Sequence, residues 1–548
     1  MRKSSRHWAA MIVLLLASGI MLTPGGSDSR RLNWHEILVA QTASQMLERS
    51  EFLVPHIGDR VRLKKPPLSY WLSIAAHRML GDSGSSHVSE FEARLPSMIS
   101  GLLIIVVTFG IGFQLTRDPR GGLIAAALMA TNWSFYIYSG SARPEMLYSM
   151  FCALMTFGLV WALRCAEDGR STFAAAVVAW GAFGLALMAK GPQFPLFIIL
   201  GVLISLLTRR SRPPLLKTLH PWMALLAIAV PLAYYGYLVF RFDNVISLWG
   251  DEMMGANRGP LWIRPLRFFY PTILVVSLAP WIIAFGFMVV DVWKRRDPMA
   301  LLLAICVLIS IFLVSFSSQF RNHYVLPLLP VCTALMAWSL LNAFGTAGDE
   351  TRHSRLFRFL VWVQFGLVGV LIASVIGLYL LFPSDPRESI VLYRVTPWLA
   401  VAGVLYVVAA IVLNRNPGIG FSALVGTLLV VSGTYPWIGV GESSFANSAY
   451  RFVNQVEADL PQGTVLYYDT GKHLPDFFAY YGTSDVERLS LEQWKNSGQP
   501  KSARYFITSP KNIRDSGLAG EIVLEERLDQ KDKKRDEAWV IFRAAPRN

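Results

Sequence analysis

Charge is scarce in this 548-residue chain: 16% of the residues are Asp, Glu, Lys or Arg, against 53% hydrophobic, and the mean hydropathy is +0.41. So little charge excludes a soluble globular protein of this length, where about a quarter of the residues are charged. Cysteine is scarcer still. Cys152, Cys165, Cys306 and Cys332 lie in or beside apolar runs, at spacings that match no metal site and no disulfide framework. Any part of the chain outside the membrane must therefore be stable without disulfides. Short-period repeats and long low-complexity tracts are lacking, which argues against a solenoid and against a disordered tail. The formal charge of +14 would suit nucleic acid if gathered on one face, but the basic residues fall in short clusters between apolar runs. No nucleic-acid partner is expected.

What the chain does have is apolar runs. Arg2, Lys3 and Arg6 precede the run from Trp8 to Leu22, and without a clear small-x-small cleavage site this reads as a retained first helix. Runs of bilayer-spanning length recur from Pro96–Leu115 to beyond Val425, roughly thirteen in all. Alternate connections carry Arg117 and Arg120, Arg164 and Arg170, Arg209 to Lys217, Lys294 to Arg296, Arg352 to Arg358, and Arg415. The positive-inside rule puts these and the N-terminus in the cytoplasm. The stretches 24–95, 140–145, 190–193, 241–267, 317–322 and 383–396 then face outward, as does the C-terminus. Beyond about residue 440 the composition turns soluble, with Thr464–Tyr468, Tyr505–Ile507 and Trp539–Phe542 reading as short strands. The expectation is a mainly α, polytopic membrane protein. Residues 1–440 form the membrane domain, with a first outer loop at about 24–95, and 441–548 form a small soluble α/β domain on the outer face.

Residues 33–71, NWHEILVAQTASQMLERSEFLVPHIGDRVRLKKPPLSYW, are polar and rich in ionisable groups beside very apolar neighbours. Ile37, Ala40, Ala43, Met46 and Leu47 recur at helical spacing, which predicts an amphipathic helix along the membrane surface with His35 and Glu36 at its start. The two prolines after Lys64-Lys65 forbid a regular helix there and hold the lysines on a stiff turn.

This loop resembles that of the bacterial aminoarabinose transferase and protein O-mannosyltransferase superfamily. The likeness runs through His35-Glu36, Glu51 to His56, Lys65-Pro66-Pro67-Leu68 with Tyr70-Trp71, and Ala93-Arg94-Leu95-Pro96. It continues in Ala142-Arg143-Pro144-Glu145, Met188-Ala189-Lys190-Gly191, and Phe316-Ser317 to His323-Tyr324 and Pro327. Trp249, Glu252 and Arg258 fall where the superfamily often carries an acidic residue and an arginine. The resemblance implies a GT-C fold and a bacterial inner-membrane enzyme moving a sugar from a polyprenyl-phosphate donor to a hydroxyl of a lipid, glycan or protein. Every matched polar cluster falls on the face assigned independently from the charge pattern.

Such a transfer needs a base for the acceptor proton and cations for the leaving phosphate. Lys65, Lys190, Arg258 and Arg321, with His323 and Tyr324, are the candidates for the phosphate, Lys65 first among them. Glu145 or His35 is the candidate base, with Glu36 orienting it. His35 stands where the superfamily has an acidic residue, so this chain departs from the pattern at that point. His35, Glu36 and Glu145 could also supply ligands to a divalent metal if the fold brought them together.

Plainer readings stand beside these. Asn33 and Glu36 fit a capping box. Lys64 and Lys65 fit lipid-headgroup anchors, Lys190 a helix flank, Arg258 and Arg321 structural ion pairs, and His323-Tyr324 interfacial packing. Two other functions also fit a polytopic chain. A secondary transporter or lipid flippase would carry ionisable groups at mid-membrane and an internal repeat, and an inactive relative would bind a lipid-linked sugar without turning it over.

Overall fold

The computed structural model describes residues 2–26, 30–58, 60–82, 84–207, 215–247, 249, 264–317, 320–345, 362–363, 366, 369–370, 373, 400–409, 411–412, 417–438, 445–461, 463–468, 474–496, 504–526 and 539–544. Helices dominate. In order they are α1 (Arg2–Gly26), α2 (Trp34–Glu48), α3 (Leu68–Leu80), α4 (Glu90–Thr116), α5 (Pro119–Ala130), α6 (Trp133–Ser139), α7 (Pro144–Glu167), α8 (Phe173–Ala189) and α9 (Gln193–Leu207). There follow α10 (Leu215–Leu219), α11 (Trp222–Arg241), α12 (Phe269–Ser277), α13 (Ile282–Arg295), α14 (Pro298–Val314), α15 (Leu329–Gly345) and α16 (Pro417–Ile438).

Among the described residues five segments are long and apolar enough to cross a bilayer alone: Arg6–Thr23, Glu90–Thr116, Pro144–Glu167, Trp222–Arg241 and Asn322–Ala343. The pair α12 and α13, bent by 115°, is a sixth if counted as one span, and α8, α9 and α14 are shorter apolar helices. The outward sides of these helices carry bare apolar bulk. Phe240 is 94% exposed and Trp293 75% exposed, a surface that suits lipid and would aggregate in water. The helices pack closely where side chains vanish: a Cβ on Gly158 of α7 would come within 2.6 to 2.9 Å of backbone atoms of Ala175 and Ala179 in α8, the small-residue contact that lets helix backbones approach in a membrane.

Two helix breaks face each other. Between α5 and α6, Asn132 caps α6 by accepting from Phe135 N at 3.1 Å while its Nδ2 donates to Ser277 O at 2.6 Å. Trp133 N donates to Ala279 O at 3.4 Å and Trp281 Nε1 donates to Thr131 Oγ1 at 2.8 Å. The carbonyls freed where α12 stops are thus satisfied by the junction of α5 and α6.

The first loop contains α2, a hairpin of β1 (His56–Ile57) and β2 (Arg60–Val61), and α3. A capping box starts α2, with the Asn33 side chain accepting from the amides of His35 and Glu36 and Glu36 returning to Asn33 N; a second, Ser89 with Glu92, starts α4. From Phe445 the chain forms α17 (Phe445–Asp459), β3 (Leu466–Tyr468), α18 (Leu474–Tyr481), β4 (Val486–Arg488), α19 (Leu491–Asn496), β5 (Arg504–Thr508), α20 (Pro510–Ser516), β6 (Gly520–Glu526) and β7 (Trp539–Ala544). The sheet order is β4-β3-β5-β7-β6, parallel at β4-β3-β5 and antiparallel at β5-β7-β6. Far from hanging free, this α/β tail shares an apolar core with the first loop: Ile37, Ala40 and Ala43 of α2 are buried in one cluster with Phe452 and Val453 of α17 and Phe477 and Phe478 of α18.

Candidate active site

The two carboxylates singled out from the sequence lie in different surroundings. Glu36 is 1% exposed. Its Oε1 accepts from Arg94 Nε at 3.0 Å, Arg30 Nη2 at 2.9 Å and Ala142 N at 2.9 Å, and its Oε2 from Asn33 N at 3.0 Å and Asn33 Nδ2 at 2.7 Å. Five donors occupy the lone pairs of both oxygens. Burial by itself would raise the pKa of this carboxyl, but the Arg94 and Arg30 charges and the hydrogen bonds from Arg94 and Asn33 outweigh it and hold the group down at about 2. Arg94, wholly buried, also donates to Arg31 O at 3.2 Å, and Arg30 reaches Gly140 O. Glu36 therefore ties together the start of α2, α4 and the turn at 140–143. That turn leads directly into Glu145.

Glu145 sits in the first turn of α7, after Pro144 at the first helical position, where a carboxylate meets the positive end of the helix dipole. It is 6% exposed. Its partners are Arg143 Nε at 3.2 Å, Lys190 Nζ at 3.4 Å and His323 Nε2 at 3.4 Å. Lys65, from the first loop, lies near enough for its charge to act on both Glu145 and Lys190. Lys190 is held at the end of α8 by a turn in which Gly191 takes φ +131°, a backbone conformation side chains resist. Its ammonium stands 5.0 Å from the ring of Tyr324 and 5.8 Å from that of Tyr148. Tyr324 stacks on Tyr270, and Tyr138 lies edge-on to His323 and beneath Arg143. The cluster is a buried anion inside a cage of cations and tyrosines, assembled from the first loop, α7, the α8–α9 turn and the segment before α15.

The structure thus brings Glu145, Lys190, His323, Tyr324 and Lys65 together. Arg321 is exposed on the approach to His323, its amide donating to Tyr270 Oη at 3.4 Å. His35 stacks on Trp34 with ring centroids 3.5 Å apart, and its amide is bound in the capping box. Trp249 Nε1 donates to Leu63 O at 2.9 Å, which brings the segment after α11 onto the first loop beside Lys65; Glu252 and Arg258 lie outside the described residues. Among the described residues no group of three His, Cys, Asp or Glu side chains is placed to hold a metal. The donors around Glu36 are arginines and amides and those around Glu145 are largely cations, surroundings that do not fit a divalent ion. Arg143 was not singled out from the sequence although it lies inside the Ala142–Glu145 motif, and Arg94 lies likewise inside Ala93–Pro96. In each case the motif was the available signal.

The family described as dolichyl-phosphate-mannose-protein mannosyltransferase matches residues 64–235, a stretch that includes Lys65, Arg143, Glu145 and Lys190. The undecaprenyl phosphate-α-4-amino-4-deoxy-L-arabinose arabinosyl transferase of Pectobacterium carotovorum subsp. carotovorum is 24% identical over 432 residues, covering 74% of this chain and 72% of the relative. The protein of the same name from Pseudomonas aeruginosa is 25% identical over 346 residues, 60% of this chain and 59% of its own length. In three dimensions the chain is similar to ArnT from Cupriavidus metallidurans in the apo state, with a TM-score of 0.73 at 15% identity over 99% of this chain and 98% of that one. The same protein bound to undecaprenyl phosphate gives 0.72 at 15% identity over 97% of each chain. In sequence the chain is thus similar to the mannosyltransferase family over residues 64–235 and to the arabinosyl transferases over most of its length, and it has the same fold as the solved ArnT.

Proposed function

We propose that this multi-pass inner-membrane protein transfers a sugar from a polyprenyl-phosphate donor to a hydroxyl on a lipid, glycan or protein. The observation that carries the reading is the caged carboxylate: Glu145 held by Arg143, Lys190 and His323, with Lys65 beside them. In the transfer the bond between the sugar's anomeric carbon and the phosphate oxygen breaks, and the phosphate gains negative charge. In this reading Lys65, Lys190 and Arg143 balance that charge, with Tyr324 lining the cage and Arg321 on the approach; Arg258, outside the described residues, is kept as a further candidate for the phosphate. A fixed cation in such a poorly solvated site acts far more strongly than in water. As the new bond forms the acceptor hydroxyl must give up its proton, and Glu145 is the base that fits, since entry of the phosphate draws the cations away from the carboxylate and restores its basicity.

Glu36 has a different role in this reading. With five donors on its carboxylate it positions the turn before Glu145 and takes no proton. His35, stacked on Trp34 at the start of α2, remains a second candidate base. We assign residues 1–440 to the transferase domain and 441–548 to an α/β domain on the same membrane face, which we read as the periplasmic one, with the N-terminus in the cytoplasm.

The test is incubation of the full chain in lipid with a panel of radiolabelled polyprenyl-phosphate sugars and with envelope lipid and protein acceptors. Transfer by the wild type that disappears in a Lys65→Ala, Glu145→Gln double variant is the expected result. Donor binding without transfer in the wild type would sink the enzymatic reading in favour of an inactive sugar-lipid binder.

A further inference from the structure

Three tyrosines of the C-terminal α/β unit close on the strand of chain that leads into α2. Tyr481 Oη accepts from Leu32 N at 2.9 Å and donates to Glu90 Oε1 at 3.2 Å. The same Glu90 oxygen accepts from Arg31 Nη1 at 2.9 Å, and the Arg31 guanidinium lies 3.8 Å from the ring centroid of Tyr450. Tyr480 Oη donates to Val88 O at 2.7 Å, and Val88 N donates in turn to Ser44 Oγ of α2 at 2.9 Å. The tyrosine rings lock one another, with centroids 4.7 Å apart for Tyr480 and Tyr481 and 4.9 Å for Tyr450 and Tyr481. Residues 30–33 are therefore held on one side by the C-terminal unit and on the other by Arg94, which donates to Arg31 O and pairs with Glu36.

A continuous chain of contacts follows. Tyr481 fixes Leu32 and Glu90, Glu90 fixes Arg31, Arg31 O and Glu36 share Arg94, and Glu36 holds Ala142 N three residues before Glu145. We infer that Tyr481, supported by Tyr450 and Tyr480, is a positioning residue for the reacting centre, and that the C-terminal unit acts as a brace setting the turn before Glu145. The inference rests on the proposed role of the Glu145 cluster and deepens it. An acceptor-docking platform would have no need of hydrogen bonds buried against the start of α2, whereas a brace needs them there.

Tyr481→Phe keeps the ring and removes both hydroxyl contacts, so it tests the chain with little loss of packing. The first readout needs no substrate: hydrogen exchange of the full-length protein in lipid. Exchange of the Ala142 amide rises about tenfold in the variant while amides in the middle of α7, such as Cys152 and Leu159, keep their protection. A rise confined to 30–33 and 445–481, with Ala142 unmoved, makes the tyrosine a local structural contact and overturns the inference. The second readout is kinetic. Tyr481→Phe lowers kcat about tenfold with donor KM unchanged, and adding it to Glu36→Gln costs nothing further, because both act through one path. Additive losses overturn the inference as well. If the wild type transfers no sugar from any donor, the proposed function fails, and the exchange measurement alone decides the brace.

Discussion

Glu36 and Glu145 are both buried carboxylates at the start of a helix, each beside cationic side chains, yet their surroundings differ in kind. Around Glu36 the donors are two arginines, two backbone amides and an asparagine, all between 2.7 and 3.0 Å. Around Glu145 stand an arginine, a lysine and a histidine nitrogen at 3.2 to 3.4 Å, walled by tyrosines. Five short contacts, two of them from backbone amides, make a knot with no capacity for a further partner. Longer contacts from side chains alone leave, in the function proposed above, cations that an incoming phosphate can share. Burial and charge are common to both, so neither singles out the carboxylate we propose as the base; the looser surroundings of Glu145 are what favour it.

The strongest way to break the contrast is Glu145→Gln. We expect kcat to fall by about a thousandfold, while donor binding, read by photocrosslinking or calorimetry, is retained or tightened because an anion competing for the cations has gone. Weakened binding with modest loss of turnover would make Glu145 a structural residue like Glu36. The converse variant, Glu36→Gln, should act on stability: leaving Arg94 buried without its counter-charge costs roughly 3 kcal/mol, seen as a lowered thermal midpoint, with turnover falling only as the 140–143 turn loosens.

The same carboxylate sets a pH window. Because folding lowers its pKa from 4.5 to about 2, its contribution is fully present above about pH 4.5 and is lost as the pH falls toward 2. The gap in thermal midpoint between wild type and Glu36→Gln should therefore be constant from pH 5 to 7 and close below about pH 4; a gap that widens on acidification would refute the ion-pair account. Lys190→Ala should cost about a hundredfold in kcat, with less than that regained by Lys190→Arg, whose planar fork does not fit a point-charge site. The smallest effect belongs to Asn33→Ala, which removes the cap of α2 and should cost about 1 kcal/mol with donor KM unchanged.

Much of this was legible in the residues. The apolar runs and the clustered basic loops give a helical membrane protein, and the motifs named Lys65, Glu145, Lys190, His323 and Tyr324 before the fold brought them together. The capping box of Asn33 and Glu36 was readable too, since its partners are three residues apart. The long-range contacts that turn Glu36 into a knot were not, because Arg94 and Ala142 N reach it from 58 and 106 positions away. Nor does composition reveal that α17 and α18 share a core with α2. An amphipathic helix announces an apolar face, and what covers that face depends on contacts several hundred residues distant in the chain. The break between α5 and α6 was hidden for a related reason: an apolar run long enough to span a bilayer looks the same whether or not its backbone is continuous.

That break bears on how the protein is made. Asn132 and Trp133 donate to carbonyls of residues 277 and 279, and Thr131 accepts from Trp281, so each interruption is satisfied by a segment about 150 residues away. Lipid offers no substitute for these partners. One backbone amide of the early helices, Trp133 N, therefore meets its carbonyl partner only once the later pair is in place, whereas the carbonyls of 277 and 279 enter a membrane where their donors already stand.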